Sequence, residues 1–219
     1  MRIRTYSHNR DLIAERRDFI AGNAARLFCD KGYDKVSIRE IATACGINHA
    51  TIYHYFGSKT DIVRFLAHLI INLVNSYFKE HIIQNGSPSA TVDLKMAISV
   101  CCILLDKYSD VATFTVRDIN QFTPDVQKIL FGYRRGFLNM HRIILDKGCK
   151  AGEFSIEDTE LVARNIALIC ENWAIQKRPL IKMYTLNQYI EKQTEFILGC
   201  ITARPALKTA TSQIISAKG

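Results

Sequence analysis

The chain has 219 residues, 48% of them hydrophobic, and carries 29 Lys or Arg against 21 Asp or Glu, a net charge of +8. That length can bury a sizeable core and suits one two-part protein or two small domains. A basic excess favours polyanion partners but also serves solubility alone; residues 1–80 and 81–219 each carry a net +4, so the positive charge is densest in the shorter, N-terminal part.

Taken in chain order, the pattern is helical throughout, with no strand alternation and no internal repeat. The basic stretch of residues 1–10 reads as a flexible arm. A first helix is predicted from about Asp11 to Lys31, with Ile20, Ala24, Leu27 and Phe28 as its inner stripe and Gly32 closing it in the left-handed conformation. Ser37 then reads as an N-cap, with Glu40 three residues on completing a capping box. Ile38, Ile41 and Ala42 bury that second helix. Gly46 supplies a tight turn where a Cβ would be strained. Asn48 is placed to cap a third helix by accepting the N–H of Thr51. In this third helix Ile52 and Phe56 lie four apart and face inward. His49, Ala50, Thr51, Tyr53 and His54 are left exposed or partly exposed, with Tyr55 near the helix end. Such groups gain little from water, but in a major groove they meet phosphates, base edges and thymine methyls.

Gly57-Ser58 breaks the chain. Ser58 caps a long fourth helix, to about Gln84, that turns Ile62, Phe65, Leu66, Leu69, Leu73 and Phe78 inward. Asn85–Ser89 is the clear internal linker. A fifth helix (about Ala90–Lys107) is apolar enough in Met96–Leu105 to be central. A short sixth (Val111–Asn120) precedes a long seventh, opened by Pro124 and lasting to about Lys150. An eighth is predicted from Ser155 to Gln176 or Lys177, and a ninth over Leu186–Ile201. Residues 202–219 read as a disordered tail.

The segment Ser37–Lys59 resembles the helix-turn-helix of TetR-family transcriptional regulators. The resemblance rests on the Ala24–Phe28 spacing, Gly32-Tyr33, Ser37-Ile38-Arg39-Glu40-Ile41-Ala42, Gly46-Ile47, Thr51-Ile52-Tyr53-His54-Tyr55-Phe56 and Lys59. It spans about Ala14 to Val74. Beyond that, the chain resembles the family only in length and helical pattern. It implies an all-α protein of about nine helices: a DNA-binding head over 11–57 and a ligand-binding and dimerisation domain over 58–201. It also implies a regulator that releases a palindromic operator on binding a small molecule. The resemblance favours a repressor and leaves an activator open.

By that resemblance, Arg39 on the positioning helix reads a base or holds a phosphate, and His49, Ala50 and Thr51 lie deepest in the groove. Tyr53 and Tyr55 donate to phosphate, His54 meets a base or phosphate, Lys59 clamps the DNA backbone, and Ser37 and Thr43 bond phosphate. Arg2, Arg4 and Arg10 reach the adjacent minor groove or form a plain basic tail. The resemblance also implies a pocket among the fourth to eighth helices, its signal passing to the head through the fourth. The candidate ligand contacts are Phe65, His68, Met96, Phe114, Arg117, Tyr133, Phe137, His141, Asn172 and Trp173. The basic balance permits a hydrophobic or acyl-CoA-like anionic effector.

Two helices are apolar on two sides. In the eighth, Val162, Ile166, Ile169 and Trp173 form one stripe and Leu161, Leu168 and Ile175 another. In the ninth, Leu186, Ile190, Ile197 and Ile201 oppose Tyr189, Phe196 and Cys200. Each such helix needs two partners, met either by a deeply buried helix pair inside one monomer or by a homodimer through a four-helix bundle built by both chains, which the resemblance favours.

No cofactor or catalytic function is expected, since no nucleophile–base pairing, phosphate loop or metal-ligand spacing is present. His49 and His54, five apart, face different sides of their helix. The seven cysteines lack CxxC spacing and read as free thiols, with a thiol-redox switch through Cys101 or Cys45 as a further reading. Met1–Arg10 has no apolar core and no apolar run is long enough to span a bilayer, so a cytoplasmic protein with no membrane partner is expected.

Overall fold

A computed structural model describes residues 3–80 and 87–202. Among these the architecture is all-α: α1 (Ile3–Lys31), α2 (Ile38–Ala44), α3 (His49–Tyr55), α4 (Lys59–Phe78), α5 (Ala90–Lys107), α6 (Ser109–Arg117), α7 (Pro124–Lys150), α8 (Thr159–Ile175), a single-turn α9 (Lys177–Leu180) and α10 (Leu186–Thr202), with a short 3₁₀ turn at Ile119–Gln121 after α6.

The boundaries differ from expectation at five places; the sixth helix, expected over Val111–Asn120, runs Ser109–Arg117, with Ile119–Gln121 tightened to a 3₁₀ turn. The backbone of α1 is already helical from Ile3, so residues 3–10, expected as an arm, continue the helix instead. α4 ends at Phe78, with Lys79 as its cap; residues 81–86, which hold the rest of the predicted extension to Gln84 and the start of the Asn85–Ser89 linker, lie outside the described residues. α8 starts at Thr159 because Asp158, not Ser155, is its cap, with Asp158 Oδ1 accepting the N–H of Leu161 at 2.9 Å. Ser155 donates its N–H to Ile201 O at 2.8 Å and so ties that connection to α10. The single turn α9 carries Pro179, which makes the predicted ninth helix the tenth here. The tail beyond Thr202 lies outside the described residues.

Two cores result. The N-terminal one gathers Ile20, Ala24 and Phe28 of α1, Ile41 of α2, Ile52 of α3, and Ile62, Val63 and Leu66 of α4. Val111 and Phe114 of α6, Phe122 of the connection after it and Val126 at the start of α7 complete it. The larger core centres on α5 (Leu94, Ile98, Cys101, Cys102), with α7 (Phe137, Met140, Ile144, Leu145), α8 (Ile166, Cys170, Trp173) and α10 (Tyr189, Ile197, Ile201) packed around it. Burial of these apolar faces supplies most of the driving force for folding.

Candidate nucleic-acid interface and helical-body cavity

The α2–α3 unit is held by local chemistry written in the sequence. Ser37 Oγ accepts the N–H of Glu40 at 3.2 Å, and Ser37 N donates to Glu40 Oε2 at 2.8 Å, a complete capping box. Lys31 Nζ adds a 2.8 Å bond to the same carboxylate. These donors hold the Glu40 carboxyl down at about 2. Gly46 takes φ +64°, which lets Ile47 N reach Ala42 O at 3.0 Å and folds α3 back across α2. Asn48 caps α3 through Ala50 rather than Thr51: its Oδ1 accepts the Ala50 N–H at 3.0 Å, while the Thr51 N–H bonds the Asn48 carbonyl at 2.9 Å.

This arrangement leaves Arg39, His49, Ala50, Tyr53 and His54 exposed and Thr51 and Tyr55 half-buried, with Ile52 fully buried beneath them. The His54 and Tyr55 rings meet edge to face at 5.1 Å. Two of the hydroxyls expected to face phosphate are already donating: Ser37 Oγ to Glu40 Oε2 at 3.0 Å, and Thr43 Oγ1 to Arg39 O at 3.0 Å. Each keeps acceptor capacity but has spent its one proton. Lys59 departs furthest from its expected role. Its Nζ donates to Tyr33 O at 2.7 Å and Val36 O at 3.0 Å and lies 4.2 Å from the Tyr33 ring centroid. Burial pushes its pKa below the ordinary lysine value. The side chain is a strut of the head, turned in from the surface.

The body holds a cavity of about 100 Å³, partly open to solvent, lined by Leu105, Ala112, Thr115, Val116, Ile119, Leu130, Phe131, Tyr133, Arg134, Phe137, Glu171 and Ile175. Its walls are mostly apolar. Arg134 and Glu171 make a 2.8 Å ion pair on it, and burial pushes the Tyr133 hydroxyl above its usual range.

Of the ten ligand candidates, the cavity brings together Tyr133 and Phe137; the other eight lie elsewhere. Phe65 and His68 border a groove beside Arg17, Tyr55 and Arg64. Phe114 is buried in the head core, and Arg117 donates to Phe28 O and Cys29 O. Met96 faces out from α5. His141 is fully buried, its Nδ1 3.0 Å from Phe137 O. Asn172 is exposed and donates to the Tyr189 hydroxyl at 3.3 Å, and Trp173 Nε1 donates to Asp106 Oδ1 at 2.8 Å. Of the ten lining residues missed, four carried a readable signal: Ala112, Thr115, Val116 and Ile119 recur at helical spacing on one face, opposite Val111 and Phe114.

On the second apolar stripe, Leu161, Leu168 and Ile175 stand 54%, 60% and 42% exposed, and Phe196 on α10 stands 62% exposed. Cys45 and Cys101 are buried, and burial pushes both thiols above the ordinary range, which works against thiolate reactivity. Among the described residues no group of three or more His, Cys, Asp or Glu could hold a metal ion, and no helix is long and apolar enough to cross a membrane.

Comparison with known proteins places these features in a family context. The model of bacterial regulatory proteins of the tetR family matches residues 20–65, from the inner stripe of α1 to the first turns of α4. The HTH-type transcriptional regulator HbdR of Aromatoleum sp. (strain CIB) is 27% identical over 185 residues, covering 83% of this chain and 78% of its own. Among solved structures, a bacterial regulatory protein in the tetR family from Rhodococcus RHA1 superposes with a TM-score of 0.75 at 17% identity, covering 86% of this chain and 97% of that one. AibR, solved in complex with isovaleryl coenzyme A and operator DNA, superposes with a TM-score of 0.64 at 18% identity, covering 83% and 97%.

Proposed function

The chain belongs to the TetR family of transcriptional regulators, DNA-binding proteins rather than enzymes, and from that premise we propose that it is a homodimeric repressor of a palindromic operator, released by an apolar, acyl-CoA-like effector. The observation that carries the DNA reading is the outer face of α3. A helix of seven residues, rigidly capped at Asn48, presents His49, Ala50, Tyr53 and His54 to solvent. Arg39 of α2 is exposed beside it. The contacts assigned to this face are Arg39, His49, Ala50, Thr51, Tyr53, His54 and Tyr55, with Ser37 and Thr43 at its edge, each donating to phosphate only on giving up its internal hydrogen bond.

One short helix discriminates too few base pairs to find a site in a genome, so specificity needs two heads at a fixed spacing. The exposed stripe of Leu161, Leu168 and Ile175, with Phe196 of α10, supports pairing through α8 and α10 in a two-fold four-helix bundle. For the effector, the apolar walls of the body cavity suit an acyl chain. The isovaleryl coenzyme A complex of AibR makes an acyl thioester the ligand class to try first. Release requires that the effector bind better to the conformation whose heads misfit the operator.

The test is footprinting of the purified chain across the DNA flanking its own gene, at several salt concentrations. A protected palindrome whose affinity falls steeply with salt supports the reading, and adding isovaleryl-, decanoyl- and stearoyl-CoA then asks which of them lifts protection. Uniform weak binding with no preferred site, with and without these thioesters, counts against it.

A further inference from the structure

The body cavity is small, and one side of it is closed. It encloses about 100 Å³, whereas a cavity of about 150 Å³ lined by Leu, Ile and Phe holds a benzene ring of six carbons. In proportion this one has room for about four or five carbon atoms. Exposure separates its floor from its rim: Leu105 and Phe137 are buried, while Val116 and Phe131 stand 40% and 51% exposed. The way in is therefore past Val116 and Phe131, and a chain that enters ends against Leu105 and Phe137. That floor is backed by packed side chains. The Phe137 ring lies 4.8 Å from the ring of His141, itself fully buried, and Leu105 belongs to the larger core. Interiors packed to this density yield little to an extra carbon.

The polar atoms of the walls sort by place as well. Thr115 Oγ1 donates to Val111 O of its own helix at 2.6 Å, so its proton is not offered to the cavity. The Tyr133 hydroxyl has no hydrogen-bond partner among the described residues, and burial keeps it protonated. It is placed to donate to a carbonyl oxygen. The charged lining residues are Arg134 and Glu171, paired at 2.8 Å, with the Arg134 side chain 48% exposed. An anion carried down to the floor would meet no cation there and would lose its water, which is strongly disfavoured. At Arg134 it keeps both.

Resting on the effector reading above, we infer that the cavity is a length gauge. It takes the acyl end of a thioester up to about four or five carbons and rejects longer chains, while the Tyr133 hydroxyl donates to the thioester carbonyl and Arg134 holds the anionic remainder at the rim. Each methylene buried on binding tightens it by about fourfold. In an open-ended groove that gain continues, and decanoyl binds about a thousandfold more tightly than a five-carbon chain. In a closed cavity the gain stops where the room ends, and further carbons force packed side chains aside.

Isothermal titration calorimetry of the full chain with acetyl-, butyryl-, isovaleryl-, hexanoyl-, octanoyl- and decanoyl-CoA reads the gauge without DNA. Affinity is expected to climb by about fourfold per carbon up to four or five carbons, then to fall, by about tenfold or more at octanoyl. Phe137→Leu lowers the floor and should move the optimum to longer chains. Ala112→Leu fills the wall and should move it to shorter ones, and it serves alone if Phe137→Leu does not fold. Arg134→Gln should weaken every thioester alike without moving the optimum. Affinity that keeps rising through decanoyl overturns the gauge, as does an optimum that stays in place in a folded floor or wall variant. If no thioester binds, the effector reading fails, and saturation-transfer NMR with isopentyl alcohol and decanol decides the gauge by itself. Binding of the short alcohol alone, lost in Ala112→Leu, upholds it; binding of decanol, or of neither, overturns it.

Discussion

Replacing Leu168 with glutamate tests the proposed dimer most directly. Leu168 is 60% exposed on α8, in line with Leu161 and Ile175 at seven-residue spacing. Full burial of a leucine side chain is worth about 1.5–3 kcal/mol, so covering the exposed part at an interface contributes about 1–2 kcal/mol per chain. A two-fold interface contains the residue twice, giving about 2–4 kcal/mol in all, with every 1.4 kcal/mol a tenfold change in Kd. Leu168→Glu is thus expected to raise the dimer Kd by roughly two orders of magnitude even before the cost of desolvating the carboxylate. Within one chain the side chain supports little packing, so fold stability should change by less than about 0.5 kcal/mol. Sedimentation velocity over nanomolar to micromolar concentrations reads the first quantity and urea unfolding followed by circular dichroism the second. Val92→Glu, on the exposed face of α5 where Val92 is 45% exposed, is the control and should dimerise like the parent. A Leu168→Glu protein with an unchanged dimer Kd would falsify the interface and remove the argument for two heads at a fixed spacing.

Three further predictions follow from the same coordinates. Arg39→Ala should weaken operator binding by about 1–3 kcal/mol if it reads a base, or flatten the salt dependence by about one if it holds a phosphate; Tyr53→Phe should cost about 1 kcal/mol. Fluorescence anisotropy at several salt concentrations checks both, and unaltered affinity strikes that residue from the interface. A Cβ at Gly148 would lie 2.1 Å from Phe154 Cδ2, and both residues are buried in the body, so Gly148→Ala should destabilise by about 1–3 kcal/mol; a loss below about 0.5 kcal/mol in urea would show that the ring yields freely. Burial pulls His141 from 6.5 down to about 4, so the unfolded chain binds the extra proton between those values. Stability is then complete above about pH 6.5 and is lost as pH falls, by about 2 kcal/mol from pH 7 to pH 5. His141→Phe should remove most of that limb, and an identical pH profile in the variant would clear His141. Glu40, Asp125 and Glu153, each held down at about 2, contribute in the opposite sense of charge, and their share is lost only as pH falls below the ordinary carboxylate value.

The head was legible in the sequence because short-range chemistry fixes it. Ser37 and Glu40 meet within one turn, Gly46 needs only its own backbone, and Ile52 and Phe56 sit on one helical face. The second stripe of α8 was legible for the same reason, since a period of seven places its residues on one side whatever surrounds them. The roles of Lys59 and Arg117 were not. Lysine and arginine read as surface residues from sequence, yet Lys59 turns back to carbonyls 23 and 26 residues earlier, and Arg117 to carbonyls 88 and 89 residues earlier. No local pattern carries such a pairing. The aromatic and polar side chains picked as ligand contacts mostly proved to have partners in the fold: Trp173 with Asp106, Asn172 with Tyr189, Phe114 with Phe28. The α8 start was misplaced by four residues because Ser155 and Asp158 are both good caps, and only the bond from Ser155 to Ile201 decides between them.

The head and the body share an aromatic cluster, and that bears on how little energy a switch here needs. Phe28 and Tyr33 belong to the head; Phe114 and Phe122 belong to the body. The rings of Phe28 and Tyr33, and of Phe28 and Phe114, meet edge to face at 5.3 Å, and those of Tyr33 and Phe122 at 5.0 Å. An interior packed this way does not bend continuously, so the proposed switch requires discrete orientations of the head on the body rather than a graded one. A ligand has only to bias that choice. In the proposed dimer both heads must fit the operator together, so a coupling of about 1.4 kcal/mol in each chain, tenfold singly, becomes about a hundredfold change in operator affinity. On the proposed effector reading, a modest preference of the ligand between two states of one chain is therefore enough to change operator affinity.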